Sequence, residues 1–134
     1  MKALIKSGPR PGLSLVEKPI PELTADGVRV RVMATSICGT DLHIYNWDAW
    51  AASKVTTPLT VGHEFCGEVL EVGPKVTRFQ PGDFVAAESH VFCDRCRPCR
   101  TGQRHICENE KIIGVQRDGA FAEQIVMPER CVWR

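Results

Sequence analysis

The chain has 134 residues, 43% of them hydrophobic and 25% charged, with a formal net charge of +1. These values describe one globular domain with enough apolar residues to bury a core without disulfide staples, and they exclude an electrostatic pull toward nucleic acid or anionic lipid. Met1 to Gly12 lacks the apolar run of a signal peptide and no segment approaches the roughly 20 apolar residues of a membrane helix, so a cytoplasmic protein is expected, with no membrane and no nucleic-acid partner.

In chain order, Ala3 to Lys6 and Leu13 to Glu17 read as short strands. Val28 to Met33 alternates Val28, Val30 and Val32 with Arg29, Arg31 and Met33, the period of a half-buried strand. One short helix is expected near Thr40, whose hydroxyl opens a turn containing Asp41, Leu42 and His43. Gly67 to Gly73, Phe84 to Ala87 and Phe121 to Met127 continue the strand pattern, with Gly73-Pro74 and Pro81-Gly82-Asp83 as turns. Many short strands with Gly/Pro turns predict a mainly β barrel or sandwich. No G-x-G-x-x-G occurs, so the chain has no dinucleotide fingerprint.

Seven cysteines in a reducing compartment point to metal binding or catalysis rather than disulfides. Cys93, Cys96, Cys99 and Cys107 have the form C-x2-C-x2-C-x7-C. Two-residue spacers let thiolates converge on one ion, and four thiolates fill the tetrahedral shell of a structural zinc, clipping residues 93–107 into a lobe. An iron–sulfur cluster is the weaker alternative, because the C-x3-C-P ending is missing. His105 is read as a loop residue. Cys66 and Cys131 are read as small buried hydrophobes.

A second set lies in Ile37-Cys38-Gly39-Thr40-Asp41-Leu42-His43 and Val61-Gly62-His63-Glu64. Cys38 and His63 can supply a sulfur and a nitrogen to a catalytic metal, which takes three protein ligands and keeps one position open. Glu64 is either the third ligand or a neighbouring, exchangeable one. In an extended strand His63 and Glu64 point to opposite faces, so joint ligation requires a bend. Asp41 either orients His63 or serves as a helix-start acid. Thr40 and His43 share a helical face and form either a proton relay or a cap and a surface histidine.

Gly62-His63-Glu64 followed by Gly67-Glu68-Val69, Val72-Gly73, Pro81-Gly82-Asp83 and the four-cysteine lobe resembles the catalytic half of the zinc-dependent medium-chain dehydrogenases, from Met1 to about the last residue. The segment from Cys38 to Trp50 is most similar to the members that oxidise L-threonine. The resemblance implies an incomplete GroES-like catalytic domain over 1–134, with Cys38, His63 and Glu64 at a catalytic zinc, Cys93, Cys96, Cys99 and Cys107 at a structural zinc, and Thr40 and His43 as the relay. It further implies NAD-dependent oxidation of the 3-hydroxyl of L-threonine to 2-amino-3-oxobutanoate, zinc acting as Lewis acid, and a homotetrameric full-length parent. His90 is either a pocket residue near the substrate or an ordinary loop histidine, and Trp47 and Trp50 either wall the pocket or anchor a loop. Family members continue into a Rossmann domain that this chain lacks. The chain is therefore expected to be an N-terminal fragment or truncated gene product, inactive alone, with NAD held elsewhere. A polyol or simple alcohol dehydrogenase and a non-catalytic zinc-binding module are the competing readings.

Overall fold

The computed structural model describes residues 1–134. In chain order these form β1 (Lys2–Lys6), β2 (Ser14–Glu17), β3 (Gly27–Thr35), α1 (Gly39–Asn46), α2 (Ala49–Lys54), β4 (Leu59–Thr60), β5 (Phe65–Val72), β6 (Phe84–Ala87), β7 (His90–Val91), α3 (Arg97–Arg100), β8 (Lys111–Ile112), β9 (Gln124–Pro128) and β10 (Val132–Trp133). The main sheet has the order β10-β6-β5-β3-β9 and is antiparallel throughout; a second sheet runs β2-β1-β4 and a small third pairs β7 with β8. The expected mainly β architecture is present as a curled half-barrel.

Alternation sets the register of the central pair. Val28 and Val30 of β3 are completely buried, while Arg29 and Arg31 lie opposite Glu71 and Glu68 of β5 and form ion pairs at 3.2 and 3.9 Å. Opposite charges directly across a strand pair favour this register over a one-residue slip, which would turn the valines to solvent. The main core continues through Val69, Val85, Ile125, Met127 and Val132 and reaches Cys99 and Cys107. A separate cluster of Ile44, Ala51, Val55, Leu59, Val61 and Val115 seats the two helices.

Three expectations shift. The strand placed at Gly67 to Gly73 starts earlier, because Thr35 and Ala34 pair with Phe65 and Cys66. The strand placed at Phe121 to Met127 begins only at Gln124: Phe121 O accepts the Leu4 N–H at 2.8 Å and Ala122 bridges Ala3, so this segment crosses from the β1 sheet to β3 before continuing. One helix was expected where α1 and α2 stand in succession; Asp48 separates them and caps α2, its carboxylate accepting the Ala51 N–H at 3.0 Å.

Lys6 is fully buried with no carboxylate at its head. Its Nζ donates instead to the carbonyls of Arg10 (2.5 Å), Gly12 (3.1 Å) and Tyr45 (2.9 Å) and lies 5.3 Å from the Trp47 ring. The ammonium thus ties the loop after β1 to the C-terminal end of α1, where the negative end of the helix dipole favours a cation. Burial lowers its pKa.

Candidate metal centres

The antiparallel pairing of β3 and β5 brings together the two pieces that carry the second ligand set. Beyond the end of β3, Ser36 N–H still bonds Glu64 O at 3.3 Å, and two residues on Cys38 takes an extended conformation as the N-cap of α1. Thr40 therefore sits inside the first helical turn and is not its cap, contrary to expectation. Asp41 closes the turn, its Oδ2 accepting the Cys38 N–H at 2.9 Å. On the other side, residues 61–64 lie outside any strand and Gly62 has φ +88. This supplies the bend that joint use of His63 and Glu64 requires. A Cβ at Gly62 would meet the Phe121 ring at 2.2 Å, so the turn admits no side chain.

The outcome is a cluster in which donor atoms of Cys38, His63 and Glu64 all lie within 4.8 Å of one another. His63 Nε2 faces Glu64 Oε1 at 3.8 Å and His63 Nδ1 faces Asp41 Oδ1 at 3.6 Å. Both Nδ1 and Oδ1 are buried without a hydrogen-bond partner. Two orphaned buried atoms facing each other fit a histidine whose Nδ1–H turns toward a carboxylate once Nε2 is engaged by a cation. One Asp41 oxygen closes the helix turn and the other faces His63. One sulfur, one nitrogen and one oxygen donor leave a tetrahedral ion one position for another ligand.

Thr40 Oγ1 lies 3.9 Å from Cys38 Sγ. His43, on the same helical side, turns outward: its Nδ1 makes a close hydrogen bond with Asp48, and its ring centroid lies 5.8 Å from that of Trp50. The Ala51 N–H and then the His43 bond hold the Asp48 carboxyl below the usual range. An ionised Asp48 only accepts, so Nδ1 is the nitrogen that donates in this bond. Asp48 was not singled out from the sequence, although an aspartate before Ala-Trp-Ala-Ala is a helix-start signal. Trp47, half-buried over Lys6, anchors its loop; Trp50 stands beside His43.

The sulfurs of Cys93, Cys96, Cys99 and Cys107 also lie within 4.8 Å of one another. Main-chain N–H groups aim at them: Cys93 N and Asn109 N at Cys107 Sγ (3.3 and 3.4 Å), and Cys96 N at Cys93 Sγ (3.4 Å). The N–H groups of Arg95 and Cys96 bring the Cys93 thiol down to about 6, whereas burial and the neighbouring thiols push Cys99 up to about 12. Cys93 is thus prepared as a thiolate, whereas Cys99 needs a cation to ionise. Four sulfurs around one point are the donor set of a closed structural zinc site. Arg104 pairs with Asp94 at 3.0 Å across the lobe.

His90 is not brought to either cluster. It lies half-exposed on β7 beside Ser89 and Glu88, in a cavity of about 640 Å3 lined also by Phe92, Arg104, His105 and Arg130. None of Cys38, His63 and Glu64 lines that cavity. Cys131 is fully buried as expected, whereas Cys66 is only half-buried.

Residues 24–134 match the family model of the alcohol dehydrogenase GroES-like domain. The chain belongs to that family. The GroES-like chain is 55% identical over 133 residues to the L-threonine 3-dehydrogenase of Saccharopolyspora erythraea, covering 99% of this chain and 39% of that protein. It is 49% identical over 134 residues to the L-threonine 3-dehydrogenase of Pyrococcus abyssi, covering 38% of it. Among solved structures, galactitol-1-phosphate dehydrogenase from Escherichia coli superposes with a TM-score of 0.89 at 34% identity over 99% of this chain and 37% of that one. A cobalt- and zinc-bound thermostable alcohol dehydrogenase from Pyrobaculum aerophilum gives 0.86 at 33% identity over 98% and 40%. The GroES-like chain thus spans about two fifths of the length of these relatives. No helix in it is long and apolar enough to cross a membrane.

Proposed function

We propose that this chain is the metal-bearing catalytic portion, residues 1–134, of an NAD-dependent enzyme that oxidises the 3-hydroxyl of L-threonine to 2-amino-3-oxobutanoate. The observation that carries the reading is the Cys38–His63–Glu64 cluster with Asp41 behind His63, in a chain 55% identical to an L-threonine 3-dehydrogenase. In this reading Cys38, His63 and Glu64 hold a catalytic zinc, and Cys93, Cys96, Cys99 and Cys107 hold a structural one. The catalytic zinc supplies a Lewis acid that lowers the pKa of an alcohol.

The chain's own residues do the rest. Asp41 orients His63. Thr40 Oγ1, beside Cys38 Sγ, accepts the hydroxyl proton as its own O–H proton passes to His43 Nε2, which releases it to solvent while Asp48 holds Nδ1–H. His90, which lines a cavity apart from the Cys38–His63–Glu64 cluster, is given no part in these steps, and the hydride acceptor NAD binds to the part of the polypeptide that the relatives have beyond the matched region. A cytoplasmic homotetramer is the form proposed for the whole protein; seven cysteines without a disulfide suit a reducing compartment.

NADH formation by the full-length polypeptide tests the substrate. L-threonine is expected to be oxidised at least tenfold more efficiently than sorbitol or butanediol; the reverse preference would replace this reading with that of a polyol dehydrogenase.

A further inference from the structure

Ser36 belongs to none of the motifs that mark the ligand candidates, yet it holds Glu64 twice. Its N–H donates to Glu64 O at 3.3 Å, and its hydroxyl makes a close hydrogen bond to Glu64 Oε2. The other carboxylate oxygen, Oε1, faces His63 Nε2 at 3.8 Å. The Glu64 side chain is 49% exposed, so packing alone leaves it several rotamers to sample. The Ser36 hydroxyl selects one of them. A carboxylate with one oxygen bonded to a fixed donor offers a cation the other oxygen only, and shares part of its charge with that donor.

We propose that Ser36 is a positioning residue for Glu64, fixing the carboxylate so that Oε1 alone faces the Cys38–His63 cluster and Glu64 acts as a one-oxygen ligand. This rests on the reading that Cys38, His63 and Glu64 hold a divalent metal. The alternative is that Ser36 merely extends the β3–β5 pairing through its main chain. That role does not need the hydroxyl and does not pass through the Glu64 carboxylate.

The test is a Co2+ titration of the whole chain, with the weaker site isolated as the difference from Cys38→Ser. Ser36→Ala is expected to weaken Co2+ binding at that site about tenfold or more, the range seen when a group holding a ligand is removed. Ser36→Thr, which keeps a hydroxyl, is expected to restore it. In a Glu64→Gln background Ser36→Ala is expected to add nothing, because the coupling runs through the carboxylate. Unchanged affinity in Ser36→Ala, or an equal loss in the Glu64→Gln background, overturns the proposal while leaving the metal centre in place. If Cys38→Ser binds as many cobalt ions as the unsubstituted chain, the metal-centre reading fails and the proposal fails with it.

Discussion

Asp41 Oδ1 and His63 Nδ1 lie 3.6 Å apart, both buried and both without a hydrogen-bond partner. The second Asp41 oxygen is fixed by the Cys38 N–H at 2.9 Å, so one carboxylate links two of the three donor-bearing residues. Asp41→Asn keeps the shape and the turn but removes the charge facing His63. Zinc affinity at the Cys38 cluster is expected to fall about 10- to 100-fold, with the four-cysteine lobe unaffected. Competition against a chromophoric chelator measures both; equal affinity in the variant would show that Asp41 serves only the helix turn.

The four-cysteine lobe carries a pH dependence with a definite sign. Metal binding needs thiolates and releases protons. Cys99, at about 12, must give up its proton at any neutral pH, and Cys93, at about 6, is already ionised there. Apparent zinc affinity of the lobe is therefore expected to rise with pH through the neutral range and to fall more steeply below about pH 6, where Cys93 is also protonated. Chelator competition across that range checks it; a flat profile would contradict the assignment of the thiols.

Asp118 accepts the Thr60 N–H at 2.7 Å and pairs with Lys18 Nζ at 2.6 Å. Burial pushes its pKa up, but the Lys18 and Thr60 hydrogen bonds outweigh this and leave it below the usual carboxylate range. A lowered folded-state pKa means stability that is present above the unfolded value of about 3.9 and lost as pH falls through the folded value. Asp118→Asn is expected to be less stable than the unsubstituted chain at neutral pH, with the difference shrinking under acid. A gap in urea midpoint that stays constant down to about pH 2 would rule this out.

Lys6→Met tests the buried ammonium. It keeps most of the side-chain volume and leaves the carbonyls of Arg10 and Gly12 without the ammonium donor, while Tyr45 O keeps only the Gly12 N–H at 2.8 Å. The expected loss is on the order of 3 kcal/mol, since hydrogen bonds to charged groups contribute more than neutral ones and abandoned buried acceptors are costly. Chemical denaturation reads it directly, and an unchanged midpoint would mean that water replaces the ammonium.

The sequence was legible where the determinants are local. The four lobe cysteines fall within fifteen residues, and their two-residue spacers already describe a shared ion. The alternation of Val28 and Val30 with Arg29 and Arg31 likewise marks the central strand, because its partners merely complete a pattern it already shows. Cys38 and His63 were only half legible: each stands out for its chemistry, but the pairing of β3 with β5 is what joins them. The bend at Gly62 was needed to bring Glu64 in, and a glycine alone does not announce a positive φ. Ser36 was invisible, since a serine gains meaning only from a carboxylate 28 residues away. Asp48 carried a usable signal, the helix-start aspartate, but its bond to His43 depends on the angle between two helices.

The most direct test of the account is the number of zinc ions per chain, measured by elemental analysis on the unsubstituted chain and on Cys38→Ser and Cys93→Ser. Two ions are predicted for the unsubstituted chain, one for a still-folded Cys38→Ser, and a destabilised lobe for Cys93→Ser. A single ion in the unsubstituted chain that Cys38→Ser leaves unchanged would contradict the catalytic centre at Cys38, His63 and Glu64.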